Sequence, residues 1–177
     1  MNSMRMEKSK ENLEASYEDV IRRNSDSVYR LAFSLVKTRS DADDIYQEVF
    51  LRYVQKEPEF QNTEHEKAWF LRVTINLCKN FWKSPWMRRR AAMECDKMQT
   101  DAFSYETAGD DSALIDTVKQ LPNKYRVVIH LFYYEELSVA EIAGITGAKE
   151  STVRTRLTRA RRLLKDLLCE EGEGIHV

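Results

Sequence analysis

The side chains best suited to recognition chemistry lie near the end of the chain, in the run LSVAEIAGITGAKESTVRTRLTRARRLLKDLL from Leu137 to Leu168. Its second half repeats apolar residues at helical spacing, which predicts one buried stripe. The opposite face carries hydroxyl and guanidinium groups: Ser151, Arg154, Thr155, Thr158, Arg159 and Arg162. Such groups donate and accept hydrogen bonds at base edges in the DNA major groove. The alternative is an ordinary solvated basic helix.

The elements around this face form the pattern of a helix-turn-helix. Ser138 and Glu141 stand three residues apart, a capping box that predicts the start of the first helix. That helix is expected to end at the Thr146–Gly147 turn, after which the arginine-rich helix begins. A preceding helix, with Pro122 at its first position, is expected to pack against the motif.

A second candidate binding face lies on the third predicted helix, which Thr63 is expected to cap and which runs to about Lys83 and stops before Pro85. Most of its circumference is apolar. The remaining arc, here called the polar face, carries one tryptophan among cations and amides: Trp69, Arg72, Asn76, Lys79, Asn80 and Lys83. Aromatic rings stack unpaired bases while cations hold phosphates, so this composition suits single-stranded nucleic acid. The alternative for Trp69 is packing at the edge of the core.

The helix before it is predicted from Ser40 to about Glu57, with Ser40 and Asp43 as its capping pattern and Pro58 preventing continuation. One side is a core stripe of apolar residues. The other side, here called the acidic strip, is rich in carboxylates and amides: Asp44, Gln47, Glu48, Leu51 and Gln55. From composition alone, this strip could equally be an ordinary solvated face.

The chain is predicted to be all-α, with two helical domains joined by a flexible acidic linker. The domains are placed at 16–92 and 112–169, and the linker at 93–111. The linker contains Asp, Glu, Ser, Thr and Gly without a sustained apolar stripe. No strand-like alternation competes with the helical pattern.

Two capping signals mark the first helix of each predicted domain. Ser16 and Asp19 predict a helix that runs to about Lys37, preceded by a polar arm. Ser112 predicts a helix that runs to about Gln120.

Composition indicates several partners and no catalytic group. The chain has 177 residues and a net charge of −1, but basic and acidic residues are segregated along it, which favours different binding surfaces. The three cysteines and three histidines lack metal-ligand spacing, so no metal or cofactor is expected. His130 falls in an apolar helical run and is expected to be packed and hydrogen-bonded. Without a signal-peptide or membrane-spanning pattern, a cytoplasmic protein is expected.

Together these stretches resemble the extracytoplasmic-function group of bacterial sigma factors. The matching runs, in order, are DADDIYQEVFLRYV at 41–54, AWFLRVTINLCKN at 68–80, LPNKYRVVIHLFYYEEL at 121–137 and LSVAEIAGITGAKESTVRTRLTRARRLL at 137–164. The resemblance implies a non-enzymatic subunit that binds core RNA polymerase, recognises minus-10 and minus-35 promoter elements and promotes DNA opening. It also implies regulation by an anti-sigma protein.

The resemblance also assigns roles by position. Asp44, Gln47 and Glu48, with Leu51 in the same strip, match the contact with core polymerase. The minus-10 contacts fall on the loop Phe60, Gln61 and Asn62 and on the polar face of the third helix. The minus-35 contacts fall on the outward face of the arginine-rich helix, centred on Arg154, Thr155, Thr158 and Arg159.

Two other classes of protein compete with a sigma factor. A polymerase-independent helix-turn-helix repressor explains 138–168 but gives the acidic strip and the polar face no purpose. A recombinase or nuclease needs a nucleophile or clustered metal carboxylates near the DNA face, where Thr, Arg and Asn dominate instead.

Overall fold

The computed structural model describes residues 2–36, 38–85 and 117–172, with side chains from residue 17 to residue 169 of those ranges. Within these ranges the chain is helical and has no strand. The elements are α1 (Asn2–Leu35), α2 (Arg39–Lys56), α3 (Thr63–Lys83), α4 (Asn123–Ile129), a π-helical turn (His130–Tyr134), α5 (Val139–Thr146) and α6 (Glu150–Gly172). The predicted linker, 93–111, and the predicted cap at Ser112 lie outside the described residues. Residues 117–120 are helical.

Helices α1, α2 and α3 form the N-terminal bundle. Leu31 and Leu35 of α1, Val49 of α2 and Phe70 and Leu71 of α3 are almost completely buried in its centre. Removing apolar surface from water is the dominant favourable term in folding, so these stripes hold the three helices together. Their packing leaves the acidic strip of α2 on the surface of the bundle.

Three helix starts differ from the prediction. Helix α1 begins at Asn2 rather than near Ser16, since residues 2–15 contain neither Pro nor Gly to stop a helix. The cap of α2 is Thr38, two residues before the predicted cap Ser40, because the side chain of Thr38 accepts the hydrogen bond from the backbone N–H of Asp41. The cap of α3 is Asn62 rather than Thr63.

The helix-turn-helix is confirmed. Ser138 and Glu141 form the capping box in both directions, with the Glu141 carboxylate accepting from the backbone N–H of Ser138 at 2.8 Å. Gly147 ends α5 at φ +69°, a left-handed conformation that a residue without a Cβ adopts readily. Pro122 occupies the N-cap of α4 rather than its first helical position as predicted, and the helix begins one residue later, at Asn123.

Helices α4, α5 and α6, with the π-helical turn, form the C-terminal group. Ile142 of α5 and Val153, Leu157 and Ala160 of α6 are buried in its core. The group packs on the N-terminal bundle through α4 against α1 and α5 against α3. None of the described helices combines the length and apolarity needed to cross a bilayer.

Candidate nucleic-acid and protein interfaces

Helix α6 presents the predicted recognition face to solvent. Val153, Leu157 and Ala160 face the core, as the stripe predicted, whereas Leu164 is half-buried. The opposite side chains are exposed: Ser151, Arg154, Thr155, Thr158, Arg159 and Arg162. Because α6 is anchored on one side only, this face is free to enter a groove.

Hydrogen bonds within α6 set the chemistry of that face. The hydroxyls of Thr155 and Thr158 donate to the backbone carbonyls of Ser151 and Arg154, at 2.9 and 3.0 Å. Their hydroxyl oxygens therefore remain available to other groups as acceptors. Arg154 forms an ion pair with Glu150 at 2.7 Å. This pair orients the guanidinium group, and it must break before Arg154 can contact a base.

A concave surface beside α6 adds residues that the sequence analysis did not select. Lys124 of α4 and Thr152 and Arg156 of α6 line a cavity of about 280 Å³ that also contacts Arg159. Lys124 comes from a different helix, so periodicity within α6 carries no signal for it. Cations at the rim of a recognition helix are suited to backbone phosphates.

The polar face of α3 is only partly free. Asn76, Asn80 and Lys83 are exposed, and Lys79 is half-buried. Arg72 is exposed but donates a 3.1 Å hydrogen bond from its Nη2 to the backbone carbonyl of Gly144 in α5. One of the predicted minus-10 residues is therefore engaged by the C-terminal group.

Trp69 packs at the edge of the core. Its indole ring makes edge-to-face contacts with Phe60 at 5.9 Å and Phe70 at 5.0 Å between centroids, and it also meets Tyr53. The half-buried ring still borders the polar face. The alternative reading of Trp69 as a packing residue thus has direct structural support, and an exposed edge remains.

The loop before α3 is fixed by the same aromatic group. Phe60 stacks on Tyr53 with 6.3 Å between centroids, and Gln61 is exposed. Asn62 is exposed as well, but its side-chain oxygen accepts from the backbone N–H of His65 at 2.7 Å. The amide of Asn62 therefore has a structural role as a helix cap.

A cleft of about 500 Å³ separates α3 from the C-terminal group. Lys79 and Trp82 line one wall, and Lys124, Thr152 and Arg156 line the other. Among the residues that the structure describes, no carboxylate pairs with Lys79, Lys124 or Arg156. The cleft is therefore electropositive on both walls.

The acidic strip of α2 is exposed, as predicted, and has an apolar part. Asp44, Gln47 and Gln55 are exposed, and Glu48 pairs with Arg52 at 2.8 Å. Leu51 is 51% exposed.

Val54, which the sequence analysis did not select, is 46% exposed beside Leu51. By contrast, the side chains of Asp41 and Glu66 are buried and therefore have a structural role. Glu66 binds Arg23 at 3.0 Å and Asn24 at 2.6 Å and fixes α3 to α1.

Glu135 is a buried carboxylate between the two groups of helices. It accepts from Ser27 at 3.0 Å and pairs with Lys67 at 2.8 Å, both in the N-terminal bundle. His130 is packed as expected, but its Nε2 lies 3.6 Å from Glu135, beyond a normal hydrogen bond. Burial alone would raise the pKa of Glu135, but the imidazole of His130 at 3.6 Å and the shorter contacts with Lys67 and Ser27 outweigh it and lower the pKa to about 2.

Family matches cover both groups of helices. Residues 20–90 match Sigma-70 region 2, and residues 111–164 match Sigma-70, region 4. The RNA polymerase sigma factor SigV of Bacillus subtilis is 33% identical over 81% of this chain and 85% of its own length. The chain belongs to the sigma-70 family.

The chain is also similar to sigma factors of the extracytoplasmic-function group. The ECF RNA polymerase sigma factor SigE of Mycolicibacterium smegmatis is 31% identical over 89% of this chain and 63% of its own length. The fold resembles the sigma factor RpoE of Bartonella quintana, solved in complex with the anti-sigma factor NepR. That likeness has a TM-score of 0.68 at 22% identity and covers 86% of this chain and 96% of that one.

Membership makes this sigma factor a promoter-specificity subunit of RNA polymerase and not an enzyme. Its N-terminal bundle corresponds to region 2 and its C-terminal group to region 4. The acidic strip of α2 and the polar face of α3 therefore both lie in region 2, and the recognition helix α6 lies in region 4.

Proposed function

We propose that this sigma factor reads promoters at two separate sites, with α6 on duplex minus-35 DNA and the α3 polar face on single-stranded minus-10 DNA. The observation that carries the proposal is the pair of cationic, hydrogen-bonding faces on two different regions of one chain. In this proposal the domain boundaries are 16–92 and 112–169, joined by the linker 93–111.

The duplex site uses both side-chain readout and phosphate contacts. Arg154 and Arg159 present guanidinium forks, which pair well with the two major-groove acceptors of guanine. Thr155 and Thr158 offer acceptors and methyl groups at the same groove, and Ser151 and Arg162 lie at either end of the face. Lys124 and Arg156 supply positive charge for the backbone at the rim.

The single-stranded site combines an aromatic edge with amides and cations. Trp69 borders the exposed amides of Asn76 and Asn80, which offer hydrogen bonds to the edge of an unpaired base. Arg72, Lys79 and Lys83 supply charge for the strand. Phe60 and Gln61, with the cap Asn62, form the loop beside this face. Holding unpaired bases favours the open duplex by mass action.

Core polymerase is proposed to bind the acidic strip of α2. Asp44, Gln47 and Glu48 form a charged rim around Leu51, and a polar rim around an apolar centre is common in protein interfaces. An anti-sigma protein is proposed as a regulatory partner, supported by the fold likeness to the sigma factor solved with NepR. The chain is proposed to act in the cytoplasm with these partners.

A crossed experiment tests the two DNA sites with holoenzyme. Arg159→Ala is expected to weaken binding to a minus-35 duplex by about 1–3 kcal/mol and to leave a premelted minus-10 strand unaffected. Asn76→Ala is expected to do the reverse.

Lys165→Ala, an exposed cation change on α6 beyond the proposed contacts, is the matched control. Equal losses on both DNA probes for either variant would refute the division of labour. Wild-type affinity and sequence preference in Arg159→Ala would refute the assignment of α6.

A further inference from the structure

The cleft between α3 and the C-terminal group has the size and lining of a small-molecule site. Its volume of about 500 Å³ falls within the usual range of ligand pockets, about 300–1,000 Å³. It has walls on two sides, whereas the outward face of α6 is open to a duplex. The lining combines three cations with an aromatic ring and a hydroxyl group: Lys79, Lys124, Arg156, Trp82 and Thr152.

The three cations come from three different helices and converge on this cleft. Lys79 of α3 and Arg156 of α6 are half-buried, and Lys124 of α4 is exposed. Within the described ranges, no carboxylate lines the cleft and none of the three cations forms an ion pair. Like charges around one cavity repel each other, and partial burial reduces the screening of this repulsion by water. A ligand with several negative charges would remove the repulsion.

The kinds of cation favour phosphate groups as that ligand. The planar guanidinium of Arg156 can bind two phosphate oxygens at once, and the ammonium groups of Lys79 and Lys124 act as point charges. Thr152 lies one helical turn before Arg156 and adds a hydroxyl to the same wall. Because the cations lie on opposite walls, two linked phosphates can contact both walls, whereas a single carboxylate brings only one charge.

The apolar part of the lining favours a ring attached to the phosphates. Trp82 is half-buried, and its Nε1 donates to the backbone carbonyl of Leu35 at 3.2 Å, which fixes the orientation of the indole. Val127 and Ala148 also line the cleft. Aromatic side chains stack on every kind of nucleic-acid base, since each base has a flat π-face. Phosphates and a base together are the parts of a nucleotide.

We propose that this cleft binds a nucleoside di- or triphosphate, with Lys79, Lys124 and Arg156 on the phosphates and Trp82 beside the base. The ligand then bridges region 2 and region 4, since its cations come from both. The same cations are proposed to hold DNA phosphates, so the nucleotide and the promoter compete for them. This competition rests on the proposed DNA sites, but the nucleotide site does not. A measurement without DNA therefore tests the nucleotide site alone.

The test is isothermal titration calorimetry of the full chain at low salt and without divalent cations. The probes are adenosine diphosphate, guanosine diphosphate, pyrophosphate and adenosine. Both nucleotides are expected to bind one per chain and more tightly than pyrophosphate, which lacks the base. Adenosine, which lacks the phosphates, is expected to bind at least about tenfold more weakly than adenosine diphosphate.

Four variants locate the site, and circular dichroism verifies that each is folded. Lys79→Gln and Arg156→Gln remove one cation from each wall, and each is expected to weaken adenosine diphosphate binding at least about tenfold. Lys165→Gln removes an exposed cation of α6 outside the cleft and is the matched control, with wild-type binding expected. Trp82→Leu is expected to weaken adenosine diphosphate and to leave pyrophosphate unchanged.

Several outcomes would overturn the proposal. The site would be excluded if neither nucleotide bound the wild type at about 1 mM. Wild-type affinity in the folded Lys79 and Arg156 variants would place the nucleotide elsewhere, and an equal loss in Lys165→Gln would reduce the effect to general charge. Pyrophosphate that binds the wild type as tightly as adenosine diphosphate would exclude the base from the cleft, whether or not Trp82→Leu folds.

Discussion

The acidic strip of α2 offers the sharpest test of the polymerase contact. The perturbation is Asp44→Arg combined with Glu48→Arg, which reverses two charges on one exposed face. If each carboxylate faces a cation of the polymerase, reversal replaces attraction with repulsion. A pair of unit charges 4 Å apart is worth about 1 kcal/mol in water and about 4 kcal/mol at an effective dielectric of 20.

The expected loss of binding free energy follows from these two values for a charge pair. Counting attraction lost and repulsion gained, each residue costs at least about 2 kcal/mol, so the double variant weakens assembly by about a thousandfold or more. The fold is expected to survive. Among the residues that the structure describes, the Glu48–Arg52 pair at 2.8 Å is the only ion pair that this change breaks, and an exposed pair of this kind contributes about 0.3–0.5 kcal/mol.

The assay is gel filtration or pull-down with core polymerase at low salt, with circular dichroism to verify folding. Asp19→Arg combined with Asp26→Arg is the matched control, because it changes the net charge equally. It likewise breaks an exposed pair, Asp26–Arg30, at 3.0 Å. A folded Asp44/Glu48 variant that assembles like wild type would refute the reasoning, and so would an equal loss in the control. A polymerase-independent repressor would not co-elute at all.

Three further predictions concern stability, each measured by urea unfolding. Trp69→Ala is expected to lower the free energy of unfolding by about 2 kcal/mol, roughly half the usual cost for a fully buried aromatic ring; a change below about 0.5 kcal/mol would contradict its packing role. Ser138→Ala removes the capping box and should cost about 1 kcal/mol, with no cost indicating that α5 does not depend on its cap. Because the folded pKa of Glu135 is depressed to about 2, its charge contributes at most about 3 kcal/mol above pH 4.5 and loses this as pH falls towards 2. The stability difference between wild type and Glu135→Gln should therefore shrink from pH 7 to pH 3, and a constant difference would refute the linkage.

Features that depend on local spacing could be predicted from the sequence. The helical repeat of Val153, Leu157 and Ala160 fixed which side of α6 is buried, and the outward face followed from geometry. The capping box of Ser138 and Glu141 was readable because both partners lie within one helical turn. The acidic strip on α2 was likewise a consequence of periodicity.

Local spacing does not predict features that depend on a partner distant in the sequence. Asp41 and Glu66 belong to the acidic stretch of the sequence, yet both are buried, and Glu66 is held by Arg23 and Asn24 of another helix. The caps of α2 and α3, Thr38 and Asn62, also lie one or two residues before the predicted caps. Several Ser, Thr and Asn residues near each helix start can act as the cap.

The contact between the two regions could not be predicted from local spacing. Arg72 was predicted to be free for DNA, and its bond to Gly144 spans residues far apart in the sequence. The role of Glu135 could not be predicted from its neighbours in the sequence, since its partners Ser27 and Lys67 lie on two other helices. Periodicity indicates which side of a helix is buried but not which groups lie across the interface, and the contact between the two regions depends on those groups.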